Sequence, residues 1–294
     1  MKNSQLKWVI LIGLSFVWGS SFILMKLAMK DLSPTQVGAF RMIFSAVFLL
    51  IIGFHKLKLI NKKQWKILLL LSIVGTFIPI FLFTFAIRQI DSSIVAILNS
   101  FTPLNTLLFG YLFFQFLFTK RQVVGIFIGI IGTVLLVGNS ASVNPDDNYW
   151  YALLVLAATI GYAVNVNMIK KYLSDLDPTA IAVGNFAWVL VPSLIVLYYT
   201  GFFGLDYTSS PIMLSMGYTL LLSIFGTALA MIIFNKMVQI ATPIFASSVT
   251  YTIPIVALLW GIWDGEQITL SQLFAGAVIL FGVYVVNSGK VLRS

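Results

Sequence analysis

The sequence predicts an all-α membrane protein of ten transmembrane helices, arranged as two inverted five-helix repeats with both termini cytoplasmic. Three observations predict it. Of 294 residues, 60% are hydrophobic and only 9% are charged, with a mean hydropathy of +1.00, whereas a soluble domain carries about 25% charged residues. The string Leu70-Leu71-Ser72-Ile73-Val74-Gly75-Thr76 returns 151 positions later as Leu221-Leu222-Ser223-Ile224-Phe225-Gly226-Thr227, and the same offset carries Pro103 onto Pro254, Gly110 onto Gly261 and Gly125 onto Gly276. Basic residues crowd every second loop, which by the positive-inside rule fixes an orientation.

The apolar runs are continuous and about 20 residues long, so they are helices rather than the alternating strands of a membrane barrel. Helices also satisfy the backbone without water. The first, near 7–26, follows Lys2 and Lys7 as a signal peptide would. It continues through Phe22-Ile23-Leu24-Met25, beyond a typical apolar core of about 7–15 residues, and is expected to remain as an uncleaved helix. The second, 35–54, follows Pro34-Thr35 and holds Arg41. Segment 66–87 contains the repeated string. Segment 92–114 carries Asn99, Thr102 and Thr106 on one helical face around Pro103, and 121–138 carries Gly125 and Gly129, a spacing that suits close helix packing. A polar linker, 139–148, contains Pro145-Asp146-Asp147 and reads as an external turn.

The second half repeats the plan. Segment 149–169 has Thr159, Tyr162 and Asn165, and 179–199 follows Pro178-Thr179. Segment 212–235 holds the second copy of the string, 244–263 has Ser247, Thr250 and Tyr251 ahead of Pro254, and 270–288 has Gly276. The expected units are therefore 1–138 and 149–294. The early helices align at smaller offsets, 142 for Gly19 with Gly161 and 144 for Pro34 with Pro178. Lys56, Lys58, Lys62, Lys63 and Lys66 mark the second loop, Lys120 and Arg121 the fourth, Lys170 and Lys171 the sixth and Lys236 the eighth. The odd loops hold most of the carboxylates, including Asp31, Asp91, Asp264 and Glu266. The net charge of +9 thus reflects topology, and no nucleic-acid partner is expected.

Several chemistries lack their residues. There is no cysteine, the single histidine, His55, stands in a basic loop, and no Gly-Lys-Ser or Gly-Lys-Thr phosphate loop occurs. Carboxylates cluster only at loops and helix ends, so no metal, no cofactor and no enzymatic activity are expected. Polar residues inside lipid need a partner helix or a cavity. The inverted plan, common among secondary transporters, makes a cavity near the midplane the functional reading. Trp18, Ser21, Thr76, Asn99, Thr102, Tyr162, Asn165, Thr227 and Tyr251 are its candidate lining, with Pro103 and Pro254 as helix breaks. Arg41, Asp91 and Glu266 are candidates for a gate or charged mouth. Trp18 lies about 16 Å along the helix from Lys7, too deep for an interfacial belt. Arg41 aligns with Asn185, so its charge is not a symmetric requirement.

The string Trp18-Gly19-Ser20-Ser21-Phe22, the Pro254 and Gly265-Glu266 positions of the ninth segment and Gly276 in the tenth resemble the drug/metabolite transporter superfamily, specifically its EamA type, over nearly the whole chain. The resemblance implies ten helices, cytoplasmic ends, a central cavity between the halves and export or exchange of small metabolites such as amino acids. One departure is Phe114-Gln115 where the second half has Gly265-Glu266. The expectation is a multi-pass secondary transporter of the plasma or inner membrane, working by alternating access on a small-molecule substrate. Its partners are the lipid bilayer and the small-molecule substrate; coupling to a proton or another ion and facilitated diffusion both stay open, and oligomeric state is not read. Multidrug efflux is the alternative within transport, and a membrane-embedded enzyme the alternative from another class.

Overall fold

A computed structural model describes residues 3–117, 119–143, 149–205, 209–264 and 269–287. Among the described residues there is helix and no strand. The helices are α1 (Asn3–Ala28), α2 (Pro34–Gly53, prolonged by a 3-10 stretch Phe54–Leu59) and α3 (Lys62–Gln89). Next come α4 (Ser92–Leu98, a 3-10 turn Asn99–Phe101, then Thr102–Phe114) and α5 (Lys120–Val143). They are followed by α6 (Ala152–Tyr172), α7 (Pro178–Tyr199), α8 (Ser210–Ile240), α9 (Pro243–Ser247 and Val249–Trp263) and α10 (Leu270–Asn287). Helices α1–α4 and α6–α9, eight in all among the described residues, are long and apolar enough to cross a bilayer. The chain is a multi-pass membrane protein. Its outer surface presents side chains such as Ile51 (77% exposed) and Leu270 (85%), apolar area that water would not tolerate but lipid does. Helix α5 continues five residues into the 139–148 stretch, and 144–148 fall outside the described residues.

Helix starts follow from local sequence. Ser33 and Gln36 form a capping box at α2, Asn61 and Gln64 one at α3, and Thr119 and Gln122 exchange the same pair of hydrogen bonds at α5. Each box satisfies two backbone donors that the first turn leaves unpaired. Pro34, Pro178 and Pro243 occupy first helical positions, where a missing N–H costs nothing.

Packing joins the two halves helix by helix. Helices α1 and α9 run parallel: Trp8 meets Phe245, Ser15 bonds Thr252, Trp260 donates to Ser20, and Lys26 pairs with Asp264. Helices α4 and α6 are also parallel, with Asn167 donating to the Thr106 carbonyl and Lys171 to that of Phe114. Helices α2 and α7 are antiparallel, as Gln36 reaches Thr200, Ser193 reaches Met42, and Gly53 lies on Val183. Helices α5 and α10 are antiparallel as well, with Gly282 seated on the backbone of Gly125 and Gly129 and Gly132 on Ile279. The glycines of α5 therefore serve a contact within the molecule.

Charged side chains close helix ends. Lys170 Nζ donates to the carbonyls of Val238, Gln239 and Ala241 at 3.2, 3.0 and 2.8 Å, satisfying acceptors that the end of α8 would leave open. Asp177 caps α7 through the N–H groups of Thr179 and Ala180 and pairs with Lys56 at 3.0 Å. Partial burial alone would raise the Asp177 carboxyl. The Lys56 hydrogen bond, the two backbone donors and the Lys56 charge outweigh it and hold the group below the usual aspartate value. A depressed carboxyl stabilises the fold above its unfolded value, and that contribution disappears as pH falls through the folded one. Thermal unfolding in detergent should therefore show the wild-type advantage over Asp177→Ala, about 1 kcal/mol for a lost cap, at neutral pH and a shrinking gap below about pH 4. A gap independent of pH would remove the ion pair from the account.

Candidate functional site

Both copies of the repeated string leave the α-helical register. Ile73–Phe77 in α3 and Leu222–Leu229 in α8 are π-helical. In the first, Ile78 N–H reaches back five residues to the Ile73 carbonyl, and in the second the Thr227 hydroxyl donates to the Leu222 carbonyl at 3.2 Å. Such turns are rare and often sit at functional sites. The glycine in each admits a neighbour. Asn165 of α6 occupies the space a Cβ on Gly75 would need, and Ser21 Oγ of α1 lies 2.6 Å from where the Gly226 Cβ would be. The widened turns also offer carbonyls inward: Trp18 Nε1 donates to Gly226 O at 2.9 Å and Asn165 Nδ2 to Gly75 O at 3.4 Å.

These turns face a cavity with about 900 Å³ of empty space, counting its open side. Its wall is built largely of repeat-related pairs. At the offset of 144 these are Trp18 with Tyr162, Ser21 with Asn165 and Phe22 with Val166; at 151 they are Gly75 with Gly226, Thr76 with Thr227, Ile80 with Met231 and Phe83 with Phe234. Met25, Arg41, Thr102, Phe186, Ser247, Val249 and Thr250 complete the lining. Aromatic contacts fix the wall, with Trp18 against Phe234 at 5.1 Å and Phe83 stacked on Tyr162 at 5.6 Å.

Among the described residues Arg41 is the only charged one in that lining. Its Nε donates to Thr227 Oγ1 at 2.7 Å and its Nη1 points at Met25 Sδ at 3.5 Å. The equivalent position in the second half makes the equivalent bond without a charge: Asn185 Nδ2 donates to Thr76 Oγ1 at 3.1 Å. Each π-turn threonine is thus held by a polar side chain from helix 2 of one half or its counterpart in the other.

The profile of the EamA-like transporter family matches twice, over residues 6–138 and 149–288. The chain belongs to this family. Among EamA-like relatives, the uncharacterized inner membrane transporter YedA of Escherichia coli (strain K12) is 29% identical over 296 residues, covering 96% of this chain and 90% of YedA. The S-adenosylmethionine/S-adenosylhomocysteine transporter of Chlamydia trachomatis serovar L2 is 23% identical over 295 residues, covering 95% of this chain and 90% of that protein. A solved crystal structure superimposes with a TM-score of 0.73 at 15% identity, over 97% of this chain and 96% of that one, a likeness of fold alone.

The EamA-like cavity brings together Trp18, Ser21, Thr76, Thr102, Tyr162, Asn165, Thr227 and Arg41. Asn99 and Tyr251 are placed elsewhere. Asn99 turns its amide into its own 3-10 turn, accepting from Thr102 Oγ1 at 3.2 Å. Tyr251 is wholly buried with Ile97, Leu258, Ala275 and Ile279, its ring against Gly129. One step along a helix rotates a side chain by about 100°, which carries Tyr251 from the cavity side of Thr250 to the α5–α10 side. Asp91 is half-buried at the start of α4, and Glu266 lies outside the described residues. Neither proline can donate to the carbonyl four residues back. The Asn99 carbonyl accepts from the Thr102 N–H of the 3-10 turn and from Thr102 Oγ1 at 2.7 Å, and the Thr250 carbonyl from Ser100 Oγ at 2.9 Å. Among the lining residues that sequence reading missed are Ile80, Phe83, Met231 and Phe234. They stand four and seven positions after Thr76 and Thr227, on the same helical face, so the repeat offset combined with helical spacing identifies all four.

Proposed function

We propose that this protein is a secondary carrier that moves a small organic metabolite, such as an amino acid, across the plasma or inner membrane by alternating access. The observation that carries this reading is the central cavity walled by equivalent residues of both halves. Ten crossings, five in 1–138 and five in 149–294 with 139–148 as external linker, make equivalent helices run in opposite senses. The parallel α1–α9 and α4–α6 pairs and the antiparallel α2–α7 and α5–α10 pairs support that plan, and loop charges support cytoplasmic termini. Rocking of one half against the other about the π turns would expose the cavity to each side in turn. In this reading Trp18, Ser21, Thr76, Thr102, Tyr162, Asn165 and Thr227 contact the solute, while Asn99 and Tyr251 support the wall from behind. Asp91, Glu266 and the Lys26–Asp264 pair at 2.6 Å belong to an outer gate.

The names of the relatives support metabolite transport and an inner-membrane location. The aromatic and thioether wall favours a second reading, efflux of amphipathic drugs. Among the described residues no three histidine or carboxylate side chains converge, so a membrane enzyme has less support. Purified protein in vesicles, screened with pooled amino acids, nucleosides and cationic dyes under a proton gradient and in counterflow, tests the proposal. Amino acids or other metabolites should move faster than in empty vesicles. Movement of dyes alone would favour efflux, and movement of no solute under either condition would refute the carrier.

A further inference from the structure

We propose that Arg41 is the substrate's docking point and that the solutes carried are small organic carboxylates with an apolar body. The inference rests on the carrier reading and names its substrate class.

The guanidinium faces the cavity, and among the described residues its hydrogen-bond partners, the Thr227 hydroxyl and the Met25 sulfur, are both neutral. Among the described residues no carboxylate forms an ion pair with it. Asp31, ten positions before Arg41 in the sequence, accepts from Ser215 at 2.9 Å. Arginine carries five N–H donors in a planar fork, so most remain for an incoming group. The repeat supplies an internal control. Asn185 ties its own helix to Thr76 with a neutral amide, so the tether to the π turn does not require a charge. A cation at membrane depth is costly. What the charge adds at position 41 is attraction for an anion, and the fork geometry matches a carboxylate bidentately.

Among the described residues the rest of the lining contains no aspartate or glutamate. A lone fixed positive charge in an apolar enclosure repels cations and concentrates anions. Trp18, Phe22, Phe83, Met231 and Phe234 supply flat and adaptable apolar surface for the remainder of the solute. A solute that presents a carboxylate fits this wall, and a cationic dye does not.

The test compares 3-phenylpropanoate with 3-phenylpropanamide, alike in shape and differing in charge, by calorimetric titration of the full chain in uncharged detergent. The acid should bind at least about tenfold more tightly, the factor carried by one charge-assisted hydrogen bond. Arg41→Gln should bind both alike, and Arg41→Lys should keep part of the preference; monodisperse elution and thermal unfolding establish that each variant is folded. Equal affinity for acid and amide in the native chain, or no binding of either, overturns the proposal without any variant. So does an undiminished preference in folded Arg41→Gln. Chloride, inorganic phosphate and phosphatidylglycerol are added as competitors, and displacement by any of them at concentrations equal to the acid would make this a general anion or lipid-headgroup site, against the proposal. Arg41-dependent binding without vesicle transport of any solute would sink the carrier reading and leave this site standing. Transport of neutral or cationic solutes with no acid preference would do the reverse.

Discussion

Gly161→Leu is expected to leave almost no folded protein. A Cβ at Gly161 would fall on the Val74 carbonyl oxygen and 3.0 Å from Pro79 Cγ. Val74 lies inside the π turn of α3, whose backbone is held by its own hydrogen bonds, so the obstacle cannot rotate away. Helices α3 and α6 must separate instead. Separation forfeits the Phe83–Tyr162 stack and the Asn165 hydrogen bond to Gly75 O. Overpacking costs about 1–3 kcal/mol even where side chains can adjust, and a backbone obstacle puts this case at the upper end or beyond. Monodisperse elution and thermal unfolding in detergent provide the measurement. Gly217→Leu is the control, since no atom lies within 4 Å of a Cβ there. If Gly161→Leu elutes and melts like the parent, the close approach of these helices is not a constraint on folding.

Trp18→Ala should lower transport at least tenfold, for whichever solute of the vesicle panel the parent moves. The indole ties α1 to the second π turn through Gly226 O at 2.9 Å and covers Phe234. Removing it enlarges the cavity on one side and leaves a carbonyl facing inward without its donor. The ring is half-buried, so the loss of stability should be about 2–3 kcal/mol, below the 3–5 kcal/mol of a fully buried aromatic. Trp18→Phe separates the two contributions by restoring apolar surface without the N–H. It should transport at an intermediate rate. An alanine variant reconstituted at matched density and moving solute at the parent's rate would take Trp18 out of the translocation path.

The helical architecture was legible because lipid imposes a coarse rule, long apolar runs, and the chain follows it. The repeated string was legible too, but its π-helical register was not. That register arises where Gly75 and Gly226 meet side chains of the other half, a contact between residues 90 or more positions apart in the first copy. Most of the candidate lining was readable from polarity at helical spacing, as with Trp18, Ser21, Tyr162 and Asn165. Tyr251 shows the limit. Polarity suggested an inward face, yet its ring fills the gap over Gly129, and shape complementarity of that kind leaves no periodic trace. Asn99 shows another, since the 3-10 turn ahead of Pro103 gives its carbonyl the Thr102 N–H and turns its amide toward the Thr102 hydroxyl. Arg41 stood out as a charge inside a membrane span, expected at a gate or charged mouth. That it would face the cavity with only neutral contacts among the described residues required the structure.

The parallel pairing of α1 with α9 has a consequence for how the protein is made. The four ties between these helices, Trp8–Phe245, Ser15–Thr252, Ser20–Trp260 and Lys26–Asp264, each span more than 230 residues. During synthesis α1 therefore enters the bilayer long before its partner exists, and its serines, its lysine and the Trp18 indole must wait without their final neighbours. Helix α6, the equivalent in the second half, meets the already inserted α3 and α4 at once. The two halves thus differ in birth order, and α1, made well before α9, is among the last of these helices to find its place.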